Sequence, residues 1–136
     1  MKAVIMAGGE GTRLRPITET MPKPLVETDG IPTLEHIFRL LLRHGITEAA
    51  LTTRYLGDMI RAREGDEYIS PAGERLELCY FEERDPLGTA GGVRQAEPFW
   101  RGGEPFLVIS GDAMTDADLT AAEEFHRQKG SAVTVL

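Results

Sequence analysis

The feature that most constrains this chain is an apolar segment that runs directly into a glycine-rich loop. Residues 3–6 are apolar and of strand length, and three glycines follow them: Gly8, Gly9 and Gly11. Glycine lets a backbone turn and approach a ligand closely, and successive N–H groups in such a loop form a nest that binds anions. Arg13 adds a planar fork of donors suited to phosphate, and Lys23 adds a mobile charge. The combination predicts a phosphate site that can also hold a nucleotide.

Two common glycine motifs do not fit this loop. The dinucleotide fingerprint requires a third glycine three residues after the second, where this chain has Leu14. A Walker loop ends in Gly-Lys-Ser/Thr, whereas here Gly11 is followed by Thr12 and Arg13. The loop is therefore a phosphate site of another kind.

Apolar runs of strand length alternate with helical patterns along the chain. The predicted strands are Lys2–Ala7, Ala49–Thr53, Arg75–Phe81, Phe106–Ser110 and Ala132–Leu136. The predicted helices begin at Thr33 as N-cap, at Tyr55, at Gly88 and near Leu119, with Asp116 and Asp118 as N-cap candidates for the last. This alternation predicts an α/β fold with a mostly parallel sheet. Ligands in such folds bind at the carboxyl ends of strands, so the glycine loop and the Gly111-Asp112 pair should share one crevice.

The formal net charge of -7 disfavours a nucleic-acid or anionic-membrane partner. No apolar run is long enough to span a membrane, and no secretory leader precedes the first strand, so cytoplasmic residence is expected. Cys79 and the three histidines show no metal-binding spacing and are predicted to be structural or exposed. Because the sequence stops at a predicted strand, it is expected to be part of a longer protein, and the exposed edge of that strand favours self-association into a homo-oligomer.

The pattern G-G-x-G-T-R-L-x-P, followed by P-K-P, resembles the signature of the sugar-phosphate nucleotidyltransferases, or nucleotide-sugar pyrophosphorylases. The sequence segments Arg43–Thr47 and Val108–Asp112 are similar to those of the mannose-1-phosphate guanylyltransferases of that family. The resemblance spans residues 1–136 and implies a Rossmann-like sheet with helices on both faces. It also implies that this is the N-terminal, nucleotide-binding part of the catalytic domain, with the sugar-binding remainder absent.

The resemblance assigns roles to particular residues. Arg13 and Lys23 are implied to be catalytic through their contacts with the phosphates, and Asp112 to bind Mg²⁺ as the cofactor. The residues implied to bind nucleotide are Ala7, Gly8, Gly9, Gly11, Thr12, Glu83, Gly88 and Thr89. The last three belong to or precede a P-L-G-T-A loop that lines base and ribose in the family. The implied partners are a nucleoside triphosphate and a sugar 1-phosphate.

Glu83 indicates which nucleotide base the site would bind. Relatives that use uridine or thymidine nucleotides commonly carry Gln at this position, because an amide serves both a donor and an acceptor on the base. An ionised carboxylate only accepts, which suits the two adjacent donors of guanine. The prediction is therefore guanylyl transfer from GTP to mannose 1-phosphate, with pyrophosphate released. A uridylyl- or thymidylyltransferase acting on glucose 1-phosphate, and a non-catalytic nucleotide-binding half-domain, are the alternatives.

Overall fold

A computed structural model describes all residues from Met1 to Leu136. The strands are β1 (Lys2–Ala7), β2 (Glu27–Thr28), β3 (Ile31–Pro32), β4 (Glu48–Thr53), β5 (Glu67–Ile69), β6 (Arg75–Glu82) and β7 (Phe106–Ser110). The helices are α1 (Thr33–Arg43), α2 (Gly57–Glu64), α3 (Gly88–Gln95), α4 (Glu97–Trp100) and α5 (Leu119–Lys129). Three single-turn 3₁₀ segments, Thr12–Leu14, Ile17–Glu19 and Lys23–Leu25, lie between β1 and β2. Strands β2 and β3 form a small separate hairpin.

The main sheet has five strands in the order β5-β6-β4-β1-β7. Strands β6, β4, β1 and β7 are mutually parallel, and only the edge strand β5 is antiparallel. The chain passes from β1 outward to β4 and β6, and then returns to place β7 on the opposite side of β1. The predicted α/β architecture with a mostly parallel sheet is thus confirmed, with β1 between β4 and the edge strand β7.

Alternate residues of the central strands enter two separate apolar layers, as the pleat of a strand requires. On one face, Ala3 and Ile5 of β1 pack with α1, with Ile60 of α2 and with Leu119 of α5. On the other face, Val4 of β1 packs with Ala50 and with residues of α3 and α4. Helices therefore cover both faces, as the resemblance implied.

Helix α1 shows how its sequence selects the buried face. Leu34, Ile37, Phe38 and Leu41 recur at helical spacing, and each is at most 2% exposed. The predicted cap was wrong by one position: Pro32 is the N-cap, and Thr33 is the first helical residue. The Thr33 hydroxyl instead donates to the carbonyl of Val26 at 3.0 Å.

The predicted strand Ala132–Leu136 was wrong. These residues are irregular, and Val133, Val135 and Leu136 are between 74% and 87% exposed. An apolar stretch becomes a strand only when a neighbour satisfies its backbone groups, and no strand pairs with it here. Thr134 instead meets His126 of α5, with 2.9 Å between its hydroxyl oxygen and the His126 Nδ1. Strand β5 had not been predicted. No helix of the chain has the length and apolar character needed to cross a bilayer.

Candidate functional site

The sheet order places the candidate site beside β1. Strands β4 and β7 lie on opposite sides of β1. The connections after neighbouring strands therefore run in opposite directions here, which opens a crevice at the carboxyl ends of the strands. The loops that follow β1, β4, β6 and β7 surround this crevice. Two adjoining cavities occupy it, each of about 320 Å³, and they share the residues Met6, Gly9 and Ser110.

The first cavity contains both basic residues of the motif, and we call it the cationic cavity. Its lining residues are Met6, Ala7, Gly9, Gly11, Thr12, Arg13, Leu14, Lys23, Pro24, Ser110 and Asp112. Seven of the residues predicted to bind nucleotide or metal, or to act in catalysis, therefore meet in one place. Two cations concentrated here in a chain of net charge -7 make the cavity a local exception that suits an anionic ligand.

Gly11 sets the path of the glycine loop. Its φ of +61° is left-handed, and a Cβ at this position would lie 2.9 Å from Thr18 Cγ2 and 3.2 Å from Lys23 Cβ. Only glycine meets both demands. The turn Thr12–Leu14 follows at once, closed by a hydrogen bond of 2.9 Å from the Leu14 N–H to the Gly11 carbonyl. The Arg13 side chain consequently lies at the exposed rim of the cationic cavity.

Lys23 and Asp112 form an ion pair across the cationic cavity, and the Ser110 hydroxyl donates to the other carboxylate oxygen of Asp112. Burial alone would raise the pKa of Asp112, but hydrogen bonds from Lys23 and Ser110 outweigh it, so this pKa lies below its ordinary value. The carboxylate is therefore ionised at neutral pH. Ser110 was missed by the sequence reasoning, although it directly precedes the Gly-Asp pair.

The oxygen donors here are compatible with Mg²⁺. Asp112 offers a carboxylate and Ser110 a hydroxyl, and Mg²⁺ prefers oxygen ligands, with one or two protein carboxylates and the rest from phosphate and water. No group of three or more His, Cys, Asp or Glu side chains is arranged so that it could hold a metal ion without other ligands. A metal at this position would therefore be shared with a bound phosphate and not enclosed by protein alone.

The second cavity lies between β4, β6 and α3, and we call it the Glu83 cavity. Its lining residues are Met6, Gly8, Gly9, Thr52, Arg54, Glu83, Pro86, Gly88, Thr89 and Ser110. It thus contains all the remaining residues predicted to bind nucleotide. Glu83 directly follows β6, and its Oε2 accepts a hydrogen bond of 3.4 Å from the Leu87 N–H, just before α3. The carboxylate therefore faces the start of that helix.

Gly92 of α3 leaves the space that the Glu83 carboxylate occupies. A Cβ at Gly92 would lie 2.4 Å from Glu83 Oε1 and 3.3 Å from Thr52 Oγ1. Glycine is unfavourable inside a helix, yet α3 contains the doubled pair Gly91-Gly92. The second of these glycines lets α3 approach the Glu83 side chain.

Arg54 is a further residue of the site that the sequence did not single out. It precedes α2, lines the Glu83 cavity and donates to Glu10 Oε1 at 3.0 Å. This pair connects the end of β4 to the glycine loop. Only the contact across the sheet reveals it, since the two residues are far apart in sequence.

The sequence and the fold of this chain are similar to those of known nucleotidyltransferases. Residues 2–136 match the family model described as nucleotidyl transferase. The chain is 38% identical over 133 residues to a mannose-1-phosphate guanylyltransferase of Mycobacterium tuberculosis, covering 98% of this chain and 36% of that protein. It is 42% identical over 123 residues to an N-acetylmuramate alpha-1-phosphate uridylyltransferase of Neisseria meningitidis, covering 90% of this chain and 51% of that protein.

A solved structure described as a putative glucose-1-phosphate thymidylyltransferase of Bacillus anthracis superimposes with a TM-score of 0.75 at 29% sequence identity. The match covers 95% of this chain and 51% of that one. The chain thus spans between about a third and a half of the length of the relatives it matches.

Proposed function

This chain belongs to the sugar-phosphate nucleotidyltransferase family and corresponds to the N-terminal part of its members, and we propose that it carries their nucleotide site. The reaction that this site would serve is nucleotidyl transfer to a sugar 1-phosphate. The observation that supports this most is the convergence of the glycine loop, Arg13, Lys23 and Asp112 in one cavity that adjoins a second, carboxylate-bearing one. The cationic cavity suits a triphosphate, and the Glu83 cavity suits a base and ribose.

The proposed reaction is an in-line displacement. An oxygen of the sugar 1-phosphate forms a bond to the α-phosphorus, the bond from that phosphorus to the bridging oxygen breaks, and pyrophosphate leaves. Chemistry of this kind depends on positioning and charge neutralisation more than on an acid–base pair. Amides of the loop Gly8–Thr12 would hold the phosphates, and Arg13 would neutralise the leaving pyrophosphate.

Lys23 would contact the α-phosphate and the incoming sugar phosphate. Asp112, with Ser110 beside it, would hold Mg²⁺, which when bound neutralises phosphate charge and aligns the reacting oxygens. In the free chain Lys23 and Asp112 neutralise each other, so a bound nucleotide must separate or share this pair. Both side chains are partly exposed to the cavity, which leaves them within reach of a ligand.

We propose GTP as the donor and mannose 1-phosphate as the acceptor. The Glu83 carboxylate accepts hydrogen bonds and so suits the adjacent N1–H and 2-amino donors of guanine. Arg54 lines the same cavity and could donate to the O6 acceptor of that base. A second candidate is transfer from UTP, favoured by the 42% identity to the uridylyltransferase of Neisseria meningitidis.

The first test is thermal stabilisation of the 136-residue chain by GTP, UTP, dTTP, CTP and ATP, each with Mg²⁺. A nucleotide at 100 times its Kd should stabilise the fold by about 2.7 kcal/mol. Stabilisation by GTP alone would support the proposal, whereas stabilisation by UTP or dTTP would favour the second candidate. No response to any of them would contradict a nucleotide site in this chain.

The second test addresses catalysis in a full-length protein that contains this chain. Arg13→Ala and Lys23→Ala should each lower turnover by about two or more orders of magnitude, because they remove charge that stabilises the transition state. The matched control is Arg43→Ala, an exposed arginine at the end of α1 away from both cavities. Rates near wild type for both site variants would refute the roles proposed for them.

A further inference from the structure

A fully buried threonine lies within an otherwise exposed part of the loop between β1 and β2. Thr18 sits in the single turn Ile17–Glu19 and is 0% exposed, whereas Ile17 beside it is 54% exposed. Burying a hydroxyl costs free energy unless it forms a hydrogen bond. The position of Thr18 therefore depends on the contacts that its hydroxyl and methyl groups make.

These contacts join the two phosphate-facing elements of the cationic cavity. The Thr18 hydroxyl donates to the carbonyl of Gly11 at 2.7 Å. Its Cγ2 lies 2.9 Å from the point that a Gly11 Cβ would occupy, and Lys23 Cβ lies 3.2 Å from the same point. Thr18 thus packs where the glycine loop and the Cβ of Lys23 come together.

The turn that carries Thr18 is itself attached to the sheet. The Tyr55 hydroxyl lies 3.0 Å from the carbonyl of Thr18 and 3.3 Å from that of Glu19. Tyr55 lies two residues after the end of β4, the middle strand of the main sheet. A continuous path of contacts therefore runs from β4 through Tyr55 and Thr18 to Gly11.

We propose that Thr18 is a positioning residue that fixes the glycine loop relative to Lys23, so that loop amides and the ammonium group face the same phosphate. Thr18 does not line either cavity, so it acts only through Gly11 and Lys23. The identity of the ligand rests on the proposed function, whereas the effect on loop geometry does not. Tyr55 supports the same arrangement from the sheet side.

The chain offers a matched control for this hydroxyl. Thr33 is also buried, and its hydroxyl also donates to a backbone carbonyl seven residues earlier, that of Val26, at 3.0 Å. Thr33 lies outside both cavities. Replacing either threonine by valine removes one buried hydrogen bond while keeping the branched shape, so Thr18→Val and Thr33→Val should lose similar folding stability.

The experiment compares Thr18→Val, Thr18→Ser and Thr33→Val in the 136-residue chain. Amide hydrogen exchange of residues 8–14 is measured without ligand, and the Kd values of GTP and UTP are measured by calorimetry with Mg²⁺. Thr18→Val should accelerate exchange in the loop and raise the Kd of the bound nucleotide about tenfold, equivalent to about 1.4 kcal/mol. Thr18→Ser should restore both, and Thr33→Val should change neither.

Wild-type exchange and affinity in Thr18→Val would overturn the proposal and leave Thr18 as a core residue only. If the wild-type chain binds neither nucleotide, the proposed function fails, and loop exchange alone decides the role of Thr18. Tyr55→Phe provides a milder variant should Thr18→Val not fold. It removes only the hydroxyl near the Thr18 carbonyl and should also accelerate exchange in residues 8–14, and unchanged exchange there would count against the proposal.

Discussion

At the scale of single residues, the position of the Glu83 side chain depends on residue 92 being glycine, which has no side chain. The Glu83 carboxylate occupies space that any side chain at Gly92 would enter. Because the atom that would be displaced is the far end of a flexible side chain, the protein can move it at small cost. A substitution at Gly92 should therefore alter ligand binding more than it alters folding.

We expect Gly92→Ala to change nucleotide affinity while lowering the free energy of unfolding little. Alanine favours a helix by about 1 kcal/mol over glycine, which offsets part of the cost of moving Glu83. The measurements are the Kd of the bound nucleotide by calorimetry and chemical unfolding. The same substitution in a Glu83→Ala background is the control, since no carboxylate then remains to be displaced. An equal change of Kd in both backgrounds would show that Gly92 acts without Glu83.

The residues of the site differed in how far the sequence revealed them. Gly8, Gly9, Gly11 and Arg13 lie within one short motif, so local spacing was enough to single them out. Arg54 and Thr18 became visible only through contacts with residues far along the chain or around a loop. Tertiary contacts of that kind leave no periodic signal in a sequence.

At the scale of secondary-structure elements, apolar patterning predicted four strands of the main sheet because each is buried on one or both faces. It failed at Ala132–Leu136, where the same pattern has no neighbouring strand, and at β5, which is short and mostly exposed. An apolar strand pattern indicates that the side chains can be buried. A strand in a sheet also needs a neighbouring strand that forms hydrogen bonds with its backbone.

Helix α5 gives a test of its N-cap. The sequence offered Asp116 and Asp118 as candidates, and the structure selects Asp118, whose Oδ1 accepts from the Ala121 N–H at 3.0 Å. Asp118→Ala should lower the free energy of unfolding by about 1 kcal/mol, the usual value of such a cap. Asp116→Ala removes an equal charge nearby and should have little effect. Equal losses for the two variants in urea unfolding would contradict a specific capping role.

The end of α2 gives a test of pH dependence. Glu64 is buried, and its Oε1 has no hydrogen-bond partner. Burial first, and then the nearby Glu35 carboxylate, raise the pKa of Glu64 from 4.5 to about 7, although Arg63 opposes this. Between these two pH values Glu64 is mostly protonated in the folded chain and mostly ionised in the unfolded chain. Stability contributed by Glu64 is therefore lost as pH rises through this range.

We expect Glu64→Gln to match wild type below pH 4.5 and to be more stable above pH 7. The gain should be on the order of 1–2 kcal/mol once solvent screening is considered. Chemical unfolding at several pH values measures it. Glu124→Gln, which neutralises an exposed glutamate on α5, controls for the change of net charge. If the difference in the free energy of unfolding between wild type and Glu64→Gln does not vary with pH, the role given to the protonation of Glu64 is wrong.

At the scale of the whole molecule, the main sheet has an open edge. Strand β7 pairs only with β1, and Val108 within it is 39% exposed. Unpaired strand edges with apolar side chains promote association between chains. We expect the mass of the 136-residue chain in sedimentation velocity to increase with protein concentration.

Val108→Lys should keep the chain monomeric, because a charge on an edge strand opposes pairing. Gln128→Lys adds the same charge on the exposed surface of α5 and should leave the association unchanged. A monomer at every concentration for wild type would remove the basis for this prediction, and equal effects of both lysines would attribute association to net charge.

The position of β1 between β4 and β7 also has a consequence for the order in which the sheet is assembled. Lys2 pairs with Phe106, so β1 gains this neighbour only once synthesis has proceeded as far as β7. Pairings this distant in sequence form slowly. Until β7 arrives, the glycine loop lacks Ser110 and Asp112, and Lys23 lacks its counter-ion. Phosphate binding would therefore report that β7 has docked against β1, and a nucleotide present during refolding would favour that step.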